Sequence, residues 1–275
     1  MTDLKIGNAI AKVNRDITRC LRIILWGTPG CGKTAYAYTA PKPILGIQFD
    51  NDGDASIKKS DDIFIIDLSG EDAEITTKFK NYNTTTFAQI RQFIEEKQIK
   101  TIVFDSCTTF GNKGLLYACK EGAKFSKGKE IITDENPGRT GYGIKNMLVN
   151  RIVMNMLVLA NQTQTHLVII AHEDLPDKTK DGEIIQQTLM LGSSLAFQIP
   201  VDFSEVWRMV DIQGLRTIEF RPHGFFKPMK TRMFDNTRDK SFKVTYNQNT
   251  GEGETLERLY KRWSDNGFNK LQVTR

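Results

Sequence analysis

Leu21-Arg22-Ile23-Ile24-Leu25-Trp26-Gly27-Thr28-Pro29-Gly30-Cys31-Gly32-Lys33-Thr34 decides how the rest of the chain is read. A short apolar run leads into Gly-x-x-x-x-Gly-Lys-Thr, and Ala35, Tyr36 and Ala37 can continue as a helix. Strand, glycine-rich turn and helix start, in that order, predict a phosphate-binding loop. The glycines let the main chain close around phosphate oxygens, and the free N–H groups at the helix start point at the anion. In such a loop Gly27, Thr28, Pro29, Gly30, Cys31, Gly32, Lys33 and Thr34 surround the phosphates of a nucleotide, with ATP the expected one. Lys33 sets a full charge against the β- and γ-phosphates, and the Thr34 hydroxyl is placed to ligate Mg²⁺.

The chain around this loop has 275 residues, enough for one large domain with a full core. Its net charge of +5 is compatible with a polyanionic partner, so where the cations lie matters more than their sum. No run approaches transmembrane length, and the first fourteen residues lack the apolar core of a signal peptide, so no membrane role and a cytoplasmic location are expected. The four cysteines, Cys20, Cys31, Cys107 and Cys119, form no Cys-x-x-Cys pair, which reads as reduced thiols rather than a zinc site.

Outward from the loop, the chain alternates strand and helix. Strands are expected at 44–49, 63–68, 101–106 and 166–171. A helix opens at a capping box, Thr86-Phe87-Ala88-Gln89, and runs to about Lys97. A strongly apolar helix is expected from Ile144 to about Leu159, with Ile144, Leu148, Ile152 and Met156 in register. The polar segment 122–143 reads as a long loop, and 174–183 as a second, charged loop. In the last third, 205–210 and 216–221 flank Gln213-Gly214 as a hairpin that extends the sheet edge, and 255–263 is a terminal helix. The first twenty residues read as a short amphiphilic helix. The expected fold is therefore α/β, a mostly parallel sheet with helices on both faces and an antiparallel C-terminal extension. The expected organisation is an N-terminal segment 1–20, a core 21–243 and a tail 244–275 with a short helix.

A phosphate loop needs a carboxylate on a neighbouring strand to hold its metal, because Mg²⁺ prefers oxygen ligands. Asp105 fits, since four residues, Thr101-Ile102-Val103-Phe104, carry it to a strand end where ligands bind in open α/β sheets. An Asp that only caps the following turn through Ser106 and Thr108 is the plainer alternative. Hexameric AAA+ motors usually carry a Glu after this Asp to polarise water, and here the residue is Ser106. The acidic cluster Asp50-Asn51-Asp52-Gly53-Asp54 is the natural substitute, with Asp50 first and Asp52 second. An Asp- and Asn-rich turn of purely backbone origin remains the alternative there.

Phosphate loop, carboxylate after the second strand, Asp-Ser ending the next core strand and a polar residue ending the strand after it resemble the layout of RecA-like P-loop ATPases. The closer resemblance is to phage-encoded, Sak-type nucleotide-binding proteins linked to single-strand annealing and recombination. It rests on Ala171-His172-Glu173 and on the late basic element Lys227-Pro228-Met229-Lys230-Thr231-Arg232, and it covers roughly 21–232. The resemblance implies an ATPase whose His172 senses the γ-phosphate and relays nucleotide state to a DNA-binding loop. It implies that Lys230 and Arg232 reach into a neighbour's site, in a homo-oligomeric ring or filament with ATP at the interfaces. That family usually carries a Glu where this chain has Asp50.

The resemblance also implies single-stranded DNA on the segments 124–143 and 173–183. The first holds Lys124, Phe125, Lys127, Lys129, Arg139 and Tyr142, cations for phosphates and aromatics for base stacking. The second holds Lys178 and Lys180 among Asp174, Asp177, Asp181 and Glu183. The expected activity is DNA-stimulated ATP hydrolysis in phage recombination or replication. A P-loop kinase of nucleosides or small metabolites, with 122–143 as its lid, and a nucleotide-gated assembly protein are the alternatives.

Overall fold

The apolar run before the phosphate loop becomes the strand β1, Arg22–Gly27, buried from Ile23 to Gly27. In the computed structural model the described residues are 19–273 apart from 52, 122–132, 134–135 and 193, with two short strands at Lys5–Ile6 and Ala9–Ile10. The loop leads into α1 (Lys33–Ala37), and the chain continues through β2 (Ile44–Gln48), β3 (Ile63–Asp67) and α2 (Thr85–Lys97). Next come β4 (Thr101–Asp105), α3 (Cys107–Lys120), α4 (Gly138–Gln162) and β5 (His166–His172). A small antiparallel pair, β6 (Asp177–Lys178) and β7 (Ile184–Gln186), precedes β8 (Glu205–Ile212), β9 (Leu215–Glu219), β10 (Ser241–Lys243) and α5 (Leu256–Asp265).

Eight strands form one sheet in the order β10-β9-β8-β1-β5-β4-β2-β3. The six from β8 to β3 are parallel neighbours, and β9 and β10 add antiparallel to the β8 edge. Core strands read as continuous apolar runs because both faces are covered. Ile24, Trp26, Leu45, Ile47, Ile102 and Phe104 point to the side of α2, α3 and α4. Ile23, Leu25, Ile44, Val103, Val168 and Ile170 point to the side of α1 and α5. The fold is α/β, a mostly parallel sheet with helices on both faces and an antiparallel extension at one edge.

Several local expectations need correction. Strands stand at Lys5–Ile6 and Ala9–Ile10, where a helix is expected. The helix α2 begins at Thr85, so Thr86 lies inside its first turn and the capping box does not form; the Thr84 hydroxyl donates to the Lys78 carbonyl instead. The helix α4 begins at Gly138, six positions before Ile144, and takes in the last part of the expected loop. The charged loop after β5 carries the β6–β7 pair.

The helix α3 has no counterpart in the sequence reading. Its Thr108, Thr109, Gly111 and Gly114 are poor helix formers. Tertiary packing overrides that weakness. A Cβ on Gly111 would stand 3.1 Å from Val149, and one on Gly114 would stand 3.2 Å from Leu148. The two glycines let α3 lie close against α4.

At the far end of the sheet, His166 opens β5 and its Nδ1 accepts the Leu21 N–H at 2.9 Å. Burial, with Arg22 and Lys100 adding to it, pushes this imidazole down from 6.5 to about 4. The unfolded histidine takes up a proton that the folded one refuses, so this contribution is complete above pH 6.5 and is lost as pH falls toward 4. Urea unfolding between pH 4 and 7 should show a loss on the order of 2 kcal/mol from this group. The variant His166→Gln, which does not titrate there, should lack that part of the slope.

Candidate nucleotide site

Parallel pairing of β1, β5, β4 and β2 brings their carboxyl ends to one edge of the sheet. Gly27 lies beside His172 across the β1–β5 pair, and Gln48 beside Asp105 across β2–β4. Asp50 follows two positions after the end of β2. Four separated stretches of chain thus converge, as ligand sites in open α/β sheets do.

The phosphate loop closes on itself. Gly32, at the N-cap of α1, has φ of 98°, a left-handed conformation suited to glycine. The buried Lys33 ammonium donates to the carbonyls of Gly27 at 2.9 Å and Thr28 at 2.8 Å. Beside it the Thr34 hydroxyl donates to Asp105 Oδ2 at 2.6 Å. Asp105 is fully buried, and its Oδ1 has no partner among the described residues. Burial raises its carboxyl to about 6, against the Thr34 hydrogen bond; Asp50 adds to the rise, and the charges of Lys33 and His172 oppose it.

Asp50 has the opposite environment. Ser106 Oγ donates to its Oδ1 at 2.9 Å, and Thr109 Oγ1 donates to the same oxygen. His172 Nε2 lies 3.1 Å from Oδ2. An ionised carboxylate only accepts, so Nε2 carries the proton of that bond. Burial alone would raise Asp50, but the hydrogen bonds from His172, Thr109 and Ser106 outweigh it and hold the carboxyl below its ordinary value. The Thr108 hydroxyl accepts the His172 backbone N–H at 2.9 Å, tying the end of β5 to the start of α3.

A magnesium ion fits this donor set. The Thr34 hydroxyl and the unpartnered Asp105 carboxylate oxygen are hard oxygen donors side by side. Among the described residues no group of three or more His, Cys, Asp or Glu side chains could hold a metal by itself. A cation shared between one carboxylate, one hydroxyl and the phosphates of a nucleotide is how Mg²⁺ is usually held. Thr34 and Asp105 would hold it there, and bound it would neutralise phosphate charge.

A family model described as an AAA domain matches residues 19–227. The chain belongs to the AAA-domain family. It is an AAA-type P-loop NTPase domain, a class that generally binds nucleotide with Mg²⁺ and is usually an ATPase. No curated protein matches the chain. Within the family, Ser106 still marks a departure from the hexameric motors, and its hydroxyl is committed to Asp50 and to capping α3 through the Thr109 N–H. No helix among the described residues is long and apolar enough to cross a membrane.

The fold brings together Lys33, Thr34, Asp105, Asp50 and His172. It sets Lys230 and Arg232 apart from them. Lys230 bridges to Val206, which lies beside Ile24, so it stands level with the middle of β1 rather than its Gly27 end. Its ammonium donates to the Val201 carbonyl at 2.9 Å. The Arg232 N–H donates to the buried Glu205 at 3.0 Å, and the Arg232 side chain is exposed. Asp52, Lys124, Phe125, Lys127 and Lys129 lie outside the described residues. Arg139 and Tyr142 sit in the first turns of α4 rather than in a loop.

Sequence reasoning missed the hydroxyls of Ser106 and Thr109, although Ser-x-x-Thr after a strand is a helix-start signal. It also missed Arg208. This buried guanidinium donates to both Glu173 oxygens at 3.0 Å and to Glu219 at 2.9 Å, and lies 3.5 Å from the Phe226 ring centre. Glu173 directly follows His172, so Arg208 braces the site from β8. The variant Arg208→Met should lose roughly 3–5 kcal/mol in chemical denaturation, because Glu173 would be left buried and unpaired. Adding Glu173→Leu should restore much of that loss.

Proposed function

We propose that this chain binds and hydrolyses ATP, and that it acts on single-stranded DNA in phage recombination or replication, as the Sak-type resemblance implies. One observation carries the ATPase reading: the Thr34 hydroxyl meets Asp105 beside a Lys33 loop, with Asp50 and His172 next to them. Lys33 and the loop N–H groups bind the phosphates. Asp105 and Thr34 would hold a magnesium ion, which when bound would supply positive charge against the phosphates. Asp50, kept ionised by Ser106, Thr109 and His172, takes the proton of the attacking water. His172 then reports the state of that carboxylate to the segment that follows it.

That segment supports the DNA part. The β6–β7 pair begins a few residues after His172 and carries exposed Lys178 and Lys180, with exposed Leu175 and Ile185 beside them. Cations for phosphates and apolar surface for bases suit a single strand better than a duplex. Lys230 and Arg232 lie away from their own loop, which favours a role in a neighbour's site within a homo-oligomer.

ATP hydrolysis measured with and without single-stranded DNA tests the whole. Stimulation is expected, with ATP-dependent assemblies in sedimentation. Phosphorylation of a small acceptor without DNA stimulation would favour a kinase instead. Lys33→Ala should abolish turnover; unchanged hydrolysis in that variant would end the ATPase assignment. Asp50→Asn should lower kcat by roughly 10²–10⁴-fold. Its ATP affinity should stay within about threefold of the parent chain, since the residue acts on water rather than on the bound phosphates.

A further inference from the structure

The strand β8 outruns its neighbour. Arg208 pairs with Trp26, one residue before the end of β1, so Val210–Ile212 continue past Gly27 by about 10 Å at 3.3 Å per residue. Gln213 and Gly214, with φ of 55° and 83°, then reverse the chain into β9. The tip of this hairpin therefore overhangs the phosphate loop. The approach is close: a Cβ on Gly27 would stand 2.2 Å from the Met209 carbonyl.

Arg216 lies on the returning strand. Its guanidinium sits against Gly32, where an added Cβ would be 2.9 Å from Cζ and 3.0 Å from both Nε and Nη1. Its Nε donates to Asp211 Oδ2 across the hairpin at 3.2 Å, and Asp211 Oδ1 accepts the Gly214 N–H at 2.8 Å. One carboxylate thus fastens both the turn and the arginine. Neither Nη1 nor Nη2 has a hydrogen-bond partner among the described residues.

Charge makes this placement informative. Lys33, the residue after Gly32, gives its ammonium hydrogen bonds to neutral carbonyls. Two full positive charges therefore flank Gly32, and Asp211 is the carboxylate paired with one of them. A guanidinium presents a planar fork of donors that matches phosphate oxygens. We propose that Arg216 is a cis-acting cation for the polyphosphate chain of the bound nucleotide, delivered to the phosphate loop by the overhanging β8–β9 hairpin. The inference rests on the nucleotide-binding reading and adds a ligand group that the Gly-Lys-Thr motif does not contain. It also gives the site a cation of its own chain, distinct from Lys230 and Arg232.

Titration of the full chain with fluorescent N-methylanthraniloyl ATP, ADP and AMP tests it. Arg216→Ala should weaken ATP and ADP by roughly ten- to hundredfold, the range for losing hydrogen bonds to a charged group. AMP should change by less than about threefold, and Arg216→Lys should recover part of the affinity. Without nucleotide, the unfolding midpoint of Arg216→Ala should match that of the parent chain; with ATP present it should rise less. Equal ATP affinity in parent and Arg216→Ala would overturn the inference while leaving the nucleotide site standing. An equal loss for AMP and ATP would overturn the polyphosphate assignment in favour of base stacking. A fall in stability of the nucleotide-free variant with unchanged affinity would leave Arg216 only a hairpin brace. No binding of any nucleotide by the parent chain would instead sink the nucleotide-binding reading itself.

Discussion

The hydrogen bond from Thr34 to Asp105 joins residues 71 positions apart, and the remainder of the site is arranged around it. The strand that leads into the phosphate loop and the strand that ends at Asp105 are not neighbours, because β5 lies between β1 and β4. The ends of β1 and β4 are therefore about 10 Å apart, two strand spacings. The phosphate loop closes that gap by carrying Thr34 forward from Gly27 to the first turn of α1. The intervening strand is used as well, since its last residue, His172, lies beside Gly27 and reaches Asp50. Any change that shifted β5 by one position would turn His172 to the other face of the sheet.

Two carboxylates stand in this small space and are pushed in opposite directions. Asp105 is buried, and its carboxyl rises to about 6. Asp50 receives three hydrogen bonds, and its carboxyl falls. On the proposed ATPase reading, that separation suits one acid to a cation and the other to a proton. The buried Arg208, bonded to Glu173 and Glu219, ties the end of β5 to β8 and β9. The same ion pairs join the residue after His172 to the two strands of the β8–β9 hairpin.

Legibility varied along the chain for identifiable reasons. Apolar runs such as Ile44-Leu45-Gly46-Ile47 and Leu167-Val168-Ile169-Ile170 announce buried parallel strands, because both faces of such strands meet hydrocarbon. The Gln213-Gly214 turn announces a hairpin, because both residues take positive φ. The helix α3 was hidden, since Gly111 and Gly114 weaken its propensity and act only by admitting α4 to close range. The start of α4 was hidden for a related reason. Gly138 and Gly141 resemble loop residues until the packing of the helix against its neighbours outweighs their entropy.

What the sequence by itself determined is the chemistry of the phosphate loop and the class of fold. A strand, a glycine turn and Lys-Thr at a helix start carry their mechanism in consecutive residues, and alternating strands and helices pair in parallel. Only the tertiary structure decided which acid meets Thr34, what holds Asp50, and that Arg216 stands over Gly32. Those relations join strand ends far apart in the chain. They depend on strand order and on how far β8 extends past β1, and local periodicity records neither.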